Sequence, residues 1–223
     1  MANAAEAQIE ARPRSEVTTS IEAGLHYVPQ GNGFQAQLYL PPGATAAVPM
    51  LVSFHGATQG PQHTIQALRE FADRSGVAVL APRSRGRTWD VIEGGYGPDI
   101  EAVDASLRWV FARLDVDPAR LAASGFSDGA SYALSLAVAN GDLFPQAIAW
   151  SPGFVSAPVE QGRPRIFISH GVRDQVLPID RCSRRLVPRL RDAGYEVEYI
   201  EFDGPHTVPP ELVDRALEWL LAG

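Results

Sequence analysis

Short apolar runs alternate with helix-like segments along this chain, and this alternation restricts its fold more than any other feature. The runs 50–54, 77–81 and 165–169 are each five residues long and are followed by His-Gly or Pro. Such runs are typical of strands that are buried on both faces of a parallel sheet. The segments between them repeat apolar residues at helical spacing. The pattern therefore predicts an α/β fold, with a mostly parallel central sheet and helices on both faces.

The elements are placed along the chain from apolar runs, helical spacing and turn residues. Residues 35–40 partly alternate apolar and polar side chains, as an antiparallel strand with one solvated face would. Residues 83–97 show no periodicity and are predicted to form a long loop. The predicted strands are 21–27, 35–40, 50–54, 77–81, 121–124, 147–150, 165–169 and 195–202. The predicted helices are 64–75, 99–114, 130–140, 180–193 and 210–222.

Length and composition favour one globular domain. A chain of 223 residues is long enough to bury a core of its own. We expect residues 1–19 to form a disordered tail and residues 20–223 to form the single domain. The first residues lack the apolar segment of a secretory signal, and no apolar run is long enough to span a bilayer. The expected location is cytoplasmic, without membrane insertion.

The charge balance and the single cysteine narrow the classes of partner and cofactor. The formal net charge is −7, and an acidic surface repels nucleic acids and anionic lipids. Cys182 has no second cysteine with which to form an internal disulfide or a Cys-rich zinc site. The sequence therefore indicates no nucleic-acid partner, no metal and no other cofactor, and it does not specify an oligomeric state.

Ser127 is the strongest candidate for a catalytic residue. It is the central residue of Gly125-Phe126-Ser127-Asp128-Gly129, which lies between a predicted strand and a predicted helix. A sharp turn at this point needs small flanking residues, and it lifts the serine above the carboxyl edge of the sheet. The amide that follows lies at a helix N-terminus, where it favours a developing oxyanion. This context predicts a nucleophile rather than an ordinary turn serine.

A serine hydroxyl needs a base to take its proton, and His206 is the best-placed histidine for that role. It follows the last predicted strand, so it lies at the same edge of the sheet as Ser127. His170, which ends another strand, is the alternative base. Asp174, in the loop after strand 165–169, is predicted to orient the base.

Two other aspartates compete with Asp174 for the role of orienting carboxylate. Asp180 directly precedes a predicted helix and is better explained as an N-cap. Asp203 is close to His206 in sequence and is the remaining alternative. The preferred set has the chain order Ser127, Asp174, His206.

The oxyanion formed by attack on an ester requires two amide donors. One is the amide of Asp128, directly after the candidate nucleophile. The other is expected from the loop after strand 50–54, where Ala57 is the first choice and Thr58 the second. His55 in this loop is better explained as a structural residue that holds the loop through a hydrogen bond.

Taken together, these residues resemble the α/β-hydrolase superfamily. Within it they resemble the phospholipase/carboxylesterase group and the related polyhydroxybutyrate depolymerase and feruloyl esterase-like proteins. The resemblance implies an α/β-hydrolase fold with esterase activity and a triad of Ser127, Asp174 and His206. Acyl-protein thioesterases of the group usually have Gln where this chain has Asp128, and this departure argues against a precise thioesterase assignment. The matching motifs are Phe54-His55-Gly56-Ala57-Thr58-Gln59, Gly125-Phe126-Ser127-Asp128-Gly129, His170-Gly171-x-x-Asp174 and Gly204-x-His206.

The predicted function is a serine carboxylesterase that hydrolyses small carboxylic esters through an acyl-enzyme. A thioesterase, an acyltransferase or a peptidase would use the same triad, and a non-catalytic binding protein is the alternative from another class. The connection 151–164 is too short for a cap domain, so the site should be open and covered only by the loop 83–97. Trp89, Tyr96 and Phe154 are predicted to line an acyl or aryl pocket, unless they anchor loops on the core.

Overall fold

The computed structural model describes residues 7–14, 17, 21–31, 33–44 and 47–223, which contain eight strands and six helices. The strands β1 to β8 are Gly24–Pro29, Gln35–Leu40, Val48–Phe54, Ala78–Ala81, Val116–Phe126, Gln146–Trp150, Arg165–Gly171 and Val197–Phe202. The helices α1 to α6 are Pro61–Ser75, Asp90–Glu93, Pro98–Phe111, Asp128–Ala139, Ser183–Asp192 and Pro210–Leu221.

The strands form one sheet in the order β1-β2-β4-β3-β5-β6-β7-β8. β2 pairs antiparallel with β1 and β4, and all the other neighbouring strands run parallel. The prediction of a mostly parallel sheet, with an antiparallel strand at 35–40, is therefore confirmed. β5 lies near the middle of the sheet, so the turn that follows it has parallel strands on both sides.

Alternate residues of the strands divide the interior into two apolar layers. Met50 and Val52 of β3 face the layer formed with α3, α4 and α5, whereas Leu51 faces the layer formed with α1 and α6. Side chains on a strand alternate between its faces, so each strand contributes to both layers. Burial of a Leu or Ile side chain contributes about 1.5–3 kcal/mol relative to exposure. The prediction of helices on both faces is confirmed.

The N-terminal segment 7–14 packs on the domain. Ala7, Ile9 and Ala11 are buried in the layer that contains α3 and α4. The amide of Ile9 donates to the Asn140 Oδ1 atom over 2.8 Å, and Asn140 Nδ2 donates to the Ala7 carbonyl oxygen over 2.8 Å. The amide of Ala11 donates to an oxygen of Asp104. The prediction of a disordered tail is therefore wrong for residues 7–14, because alternate apolar side chains bury there; residues 1–6, 15, 16, 18 and 19 lie outside the described residues.

The connections at the carboxyl edge of the sheet determine what covers it. Residues 151–164, between β6 and β7, contain no helix or strand, so this connection carries no cap domain. The predicted loop 83–97 contains the short helix α2, which the sequence did not indicate. Within the described part of the chain, no helix has both the length and the apolar composition needed to cross a membrane.

Candidate active site

Ser127 lies in a strained turn between β5 and α4. Its φ is 59° and its ψ is −122°, a conformation that non-glycine residues rarely adopt. The flanking glycines allow two chain segments to pass closely. A Cβ atom on Gly125 would lie 2.8 Å from the carbonyl oxygen of Phe54, and one on Gly129 would overlap that same oxygen. The two glycines of the motif are thus explained by this close approach, which positions the serine above the sheet.

The structure brings the three predicted residues into one chain of hydrogen bonds. His206 Nε2 lies 2.9 Å from the Ser127 Oγ atom, and His206 Nδ1 lies 2.6 Å from the Asp174 Oδ2 atom. The imidazole keeps a small exposed fraction, whereas the Asp174 side chain is fully buried. The candidate nucleophile, base and orienting carboxylate are therefore all within hydrogen-bond reach.

Asp174 is held as an anion by the N–H groups around it. Its Oδ1 accepts the amides of Val176 and Leu177 over 2.9 and 2.8 Å, and its Oδ2 accepts from His206. Burial raises the pKa of Asp174, but the hydrogen bond from His206 and those two amides outweigh burial and leave the pKa below its ordinary value. The carboxylate therefore stays charged and keeps its orientation.

The alternative base, His170, contacts the same carboxylate from another direction. Its Nε2 lies 2.8 Å from the Leu177 carbonyl oxygen and 3.2 Å from Asp174 Oδ2, and its Nδ1 lies 2.7 Å from Ser183 Oγ. Both ring nitrogens of His170 thus contact groups other than Ser127. Burial lowers the pKa of His170, so the imidazole is neutral, with its proton on Nε2 facing the two oxygens.

The competing aspartates lie on the surface, away from the base. The Asp203 side chain is mostly exposed and pairs with Arg173 over 2.9 Å. The Asp180 side chain is also exposed and pairs with Arg184 over 2.8 Å. The explanation of Asp180 as an N-cap is wrong, because α5 begins at Ser183 and its N-cap residue is Cys182.

Gly171, the last residue of β7, allows this strand to approach the loop that carries His206. A Cβ atom on Gly171 would overlap the Gly204 carbonyl oxygen and would lie 2.5 Å from that of Pro205. The amide of Arg173 donates to the same Gly204 oxygen over 3.0 Å. These contacts join the loop of Asp174 to the loop of His206, although the residues are 32 positions apart.

The two candidates for the second oxyanion donor differ in their hydrogen bonds. The amide of Thr58 donates to the carbonyl oxygen of Arg87 over 2.6 Å, so it is already engaged. Among the described residues, no backbone carbonyl accepts a hydrogen bond from the amide of Ala57 or of Asp128. These two amides are therefore the available pair, and Thr58 instead anchors the loop.

Hydrogen bonds join the segment 83–97 to the loop after β3, which carries His55, and to the turn at Ser127. His55 Nε2 accepts the amide of Ser84 over 3.1 Å, and the His55 carbonyl accepts the Trp89 indole N–H over 2.8 Å. The Thr88 hydroxyl donates to Asp128 Oδ2 over 2.6 Å. His55 therefore has a structural position, and burial lowers its pKa, which keeps it neutral. Thr88 carried no signal in the sequence, because its partner is 40 residues away.

Of the three aromatic residues predicted to line a pocket, Trp89 and Tyr96 anchor loops, whereas Phe154 lines a separate cavity of about 450 Å³. Trp89 is fully buried, with its ring stacked on Tyr132 at 4.8 Å between centroids. The Tyr96 hydroxyl donates to the Ser156 carbonyl oxygen over 2.7 Å, and Phe154 packs against the core. None of the three lines the cavity of about 540 Å³ that adjoins His206. The prediction is wrong for Trp89, because its large apolar surface is buried by the sheet and α4.

Two buried carboxylates, Asp90 in the segment 83–97 and Asp99 at the start of α3, accept backbone amides from this part of the chain. Asp90 Oδ2 accepts the amides of Gly97 and Asp99 over 2.8 and 3.0 Å, and Asp99 accepts the amides of Arg85 and Asp90. Burial, together with the neighbouring negative charge of Asp99, raises the pKa of Asp90 to about 6. Asp90 is therefore mostly ionised at neutral pH in the folded protein, but its ionisation lowers the stability of the fold relative to the unfolded chain.

Asp90→Asn is expected to raise the melting temperature at pH 8. In the unfolded chain the pKa is near 3.8 and in the fold it is about 6, so the wild type loses stability as pH rises through that window. The variant buries no charge and keeps an oxygen acceptor for the amides of Gly97 and Asp99. The gain should be on the order of 1 kcal/mol, or about 2–4 °C, after allowance for solvent screening.

Thermal melts at pH 8 and pH 4.5 test this expectation, with the exposed Asp192→Asn as the matched control. The advantage of the Asp90 variant should shrink at the lower pH, and the control should show no such difference. A variant that is less stable than the wild type at pH 8 would mean that ionised Asp90 stabilises the loop.

Comparison with known proteins assigns this chain to a family. The profile of the family described as Esterase PHB depolymerase matches residues 34–161, which is more than half of the chain. The chain belongs to this esterase family. The matched range includes Ala57 and Ser127 and ends before Asp174. The resemblance inferred from the motifs is thereby confirmed, and the family is one of carboxylic ester hydrolases.

Individual relatives agree with this assignment. The chain is 33% identical over 162 residues to a probable feruloyl esterase C of Aspergillus oryzae, an alignment that covers 60% of this chain and 59% of that relative's length. The serine hydrolase F of Staphylococcus aureus, described as fluorophosphonate-binding, has a TM-score of 0.71 at 12% identity, covering 89% and 99% of the two chains. Esterase 2 of Thermogutta terrifontis, phosphoramylated by tabun, has a TM-score of 0.69 at 20% identity, covering 89% and 94%. At these identities the structures establish the α/β-hydrolase fold.

Proposed function

We propose that this protein hydrolyses small carboxylic esters through an acyl-enzyme formed on Ser127. The observation that carries the proposal is the hydrogen-bonded chain from Ser127 Oγ through His206 to Asp174. Asp174 is anionic and accepts the proton of His206 Nδ1, so the unprotonated Nε2 faces the serine hydroxyl. This is the tautomer that a general base for Ser127 requires.

The reaction follows from this geometry in two steps. Ser127 Oγ attacks the ester carbonyl while His206 Nε2 takes its proton, and the oxyanion accepts hydrogen bonds from the amides of Ala57 and Asp128. His206 then gives the proton to the departing alcohol, which leaves the acyl group on Ser127. A water molecule, deprotonated by the same imidazole, attacks the acyl-enzyme, and His206 returns that proton to Ser127 Oγ as the acid is released.

A fluorophosphonate probe tests the proposal on the intact protein. Attack by Ser127 Oγ forms an O–P bond, fluoride leaves, and His206 takes the hydroxyl proton. We expect one adduct per chain, mapped by peptide mass spectrometry to Ser127. His206→Ala should label more slowly by about 10²–10⁴-fold, because the base is lost.

Two outcomes would contradict the proposal. The first is a folded protein that stays unlabelled after long exposure to the probe. The second is an adduct that maps to a different serine and persists in Ser127→Ala. Parallel hydrolysis of p-nitrophenyl esters from acetate to dodecanoate would then define the range of acyl chains that the site accepts.

A further inference from the structure

A cavity of about 540 Å³ opens between α1 and α6, directly beside the imidazole of His206. Its inner wall is mostly apolar, with buried and half-buried side chains, whereas its outer rim includes exposed residues of α1 and of the loop before it. The inner wall includes Leu68, Phe71, Phe126, Val208 and Val213. The rim includes Gln59, His63, Gln66 and Ala67.

The cavity adjoins the candidate base and lies close to the turn that carries Ser127. The Phe126 ring, which forms part of its wall, lies 4.6 Å from the His206 ring between centroids. Gly56 also lines the cavity, and a Cβ atom on it would lie 3.7 Å from the Cβ atom of Ser127. A group bound in the cavity is therefore next to the imidazole that transfers the proton.

The proton transfer decides which part of an ester this cavity faces. During acylation His206 Nε2 gives its proton to the oxygen of the departing alcohol, so that oxygen must approach the imidazole. The carbonyl oxygen points instead towards the amides of Ala57 and Asp128. The alcohol group therefore lies on the His206 side, and the acyl group extends away from it.

We infer that the cavity binds the alcohol part of the substrate, and that the natural substrates are esters of bulky apolar alcohols, aryl or branched alkyl. This inference rests on the proposed function. Ligand pockets of this class span about 300–1,000 Å³ and are mostly apolar. A methyl or ethyl group would leave most of the cavity unfilled, whereas an aromatic group would bury its surface against Phe71 and Phe126. The rim amides of Gln59 and Gln66 are available to a polar substituent at the outer end.

Two isomeric esters separate the alcohol side from the acyl side. 2-Naphthylmethyl acetate carries the bulky group on the alcohol, and methyl 2-naphthylacetate carries it on the acid. For the wild type, kcat/KM should be at least about tenfold higher for 2-naphthylmethyl acetate than for ethyl acetate, because a large apolar group gains burial. Equal kcat/KM values for 2-naphthylmethyl acetate and ethyl acetate would overturn the inference.

Filling the cavity provides the second test. Ala67 lies on the exposed rim, so Ala67→Trp adds bulk at the cavity mouth without crowding the core. The ratio of kcat/KM for 2-naphthylmethyl acetate over methyl 2-naphthylacetate should fall about tenfold in this variant, and less in Ala67→Leu. Glu70→Trp, on the same helix but away from the cavity lining, should leave the ratio at its wild-type value.

The outcomes distinguish this inference from the proposed function. An unchanged ratio in Ala67→Trp would mean that the cavity takes no part of the substrate. A ratio that rises would mean that the cavity takes the acyl group, and either result overturns the inference while the esterase mechanism stands. If Ser127→Ala hydrolyses both esters like the wild type, the proposed function itself fails.

Discussion

Ser127→Ala is expected to lower kcat for p-nitrophenyl acetate by about 10⁶-fold, the usual cost of removing the nucleophile of such a triad. The methyl group of alanine cannot attack the carbonyl, and His206 then has no proton to accept. The residual rate should come from substrate binding and the oxyanion amides alone. Initial rates, corrected for spontaneous hydrolysis of the ester, measure the loss.

The loss can be separated from unfolding. Alanine has the same Cβ atom as serine, so the strain of a φ of 59° at this position is unchanged. We expect the melting temperature to stay within about 2 °C of the wild type. Ser106→Ala is the matched control, since Ser106 is buried in α3 and bonds only the carbonyl of Ala102 through its hydroxyl. A folded Ser127 variant that retains more than about a tenth of the wild-type rate would contradict the mechanism.

Much of the fold was predictable because its strands are short apolar runs with clear ends. Residues 121–124 were recognised as a strand, but β5 begins at Val116, where polar and charged side chains precede the apolar run. The packing of the segment 7–14 is hard to predict for a related reason. Its buried residues are mostly alanines, which give a weak periodic signal, and its hydrogen bonds are made to Asp104 and Asn140, far along the chain.

The site was predictable where its chemistry depends on local sequence. The strand, the sharp turn and the helix around Ser127 are contiguous, and the candidate base and carboxylate each follow a strand at the same edge. The choice between Ala57 and Thr58 needed the structure, because it depends on a hydrogen bond to Arg87 in a separate segment. The position of Trp89 also needed the structure, because an aromatic residue in an irregular loop can pack either on the core or in a pocket.

Asp174→Asn is expected to lower kcat by about 10⁴-fold with little change in KM, because in the proposed mechanism the side chain orients the base without touching the substrate. The exposed Asp203→Asn is the matched control and should keep the wild-type kcat. Steady-state kinetics on both variants measure the difference. A larger fall in kcat for Asp203→Asn than for Asp174→Asn would show that Asp203 orients the base.

The hydrogen bonds around the carboxylate predict how the asparagine would act. Its amide oxygen would occupy the position of Oδ1, because the N–H groups of Val176 and Leu177 both require an acceptor there. The NH₂ group would then face Nδ1 of His206 and donate to it. The imidazole would carry its proton on Nε2 and point an N–H at the Ser127 hydroxyl, which it could no longer deprotonate. The expected fall in kcat therefore comes from the wrong tautomer of His206. The variant should remain folded and bind ester normally while its turnover falls.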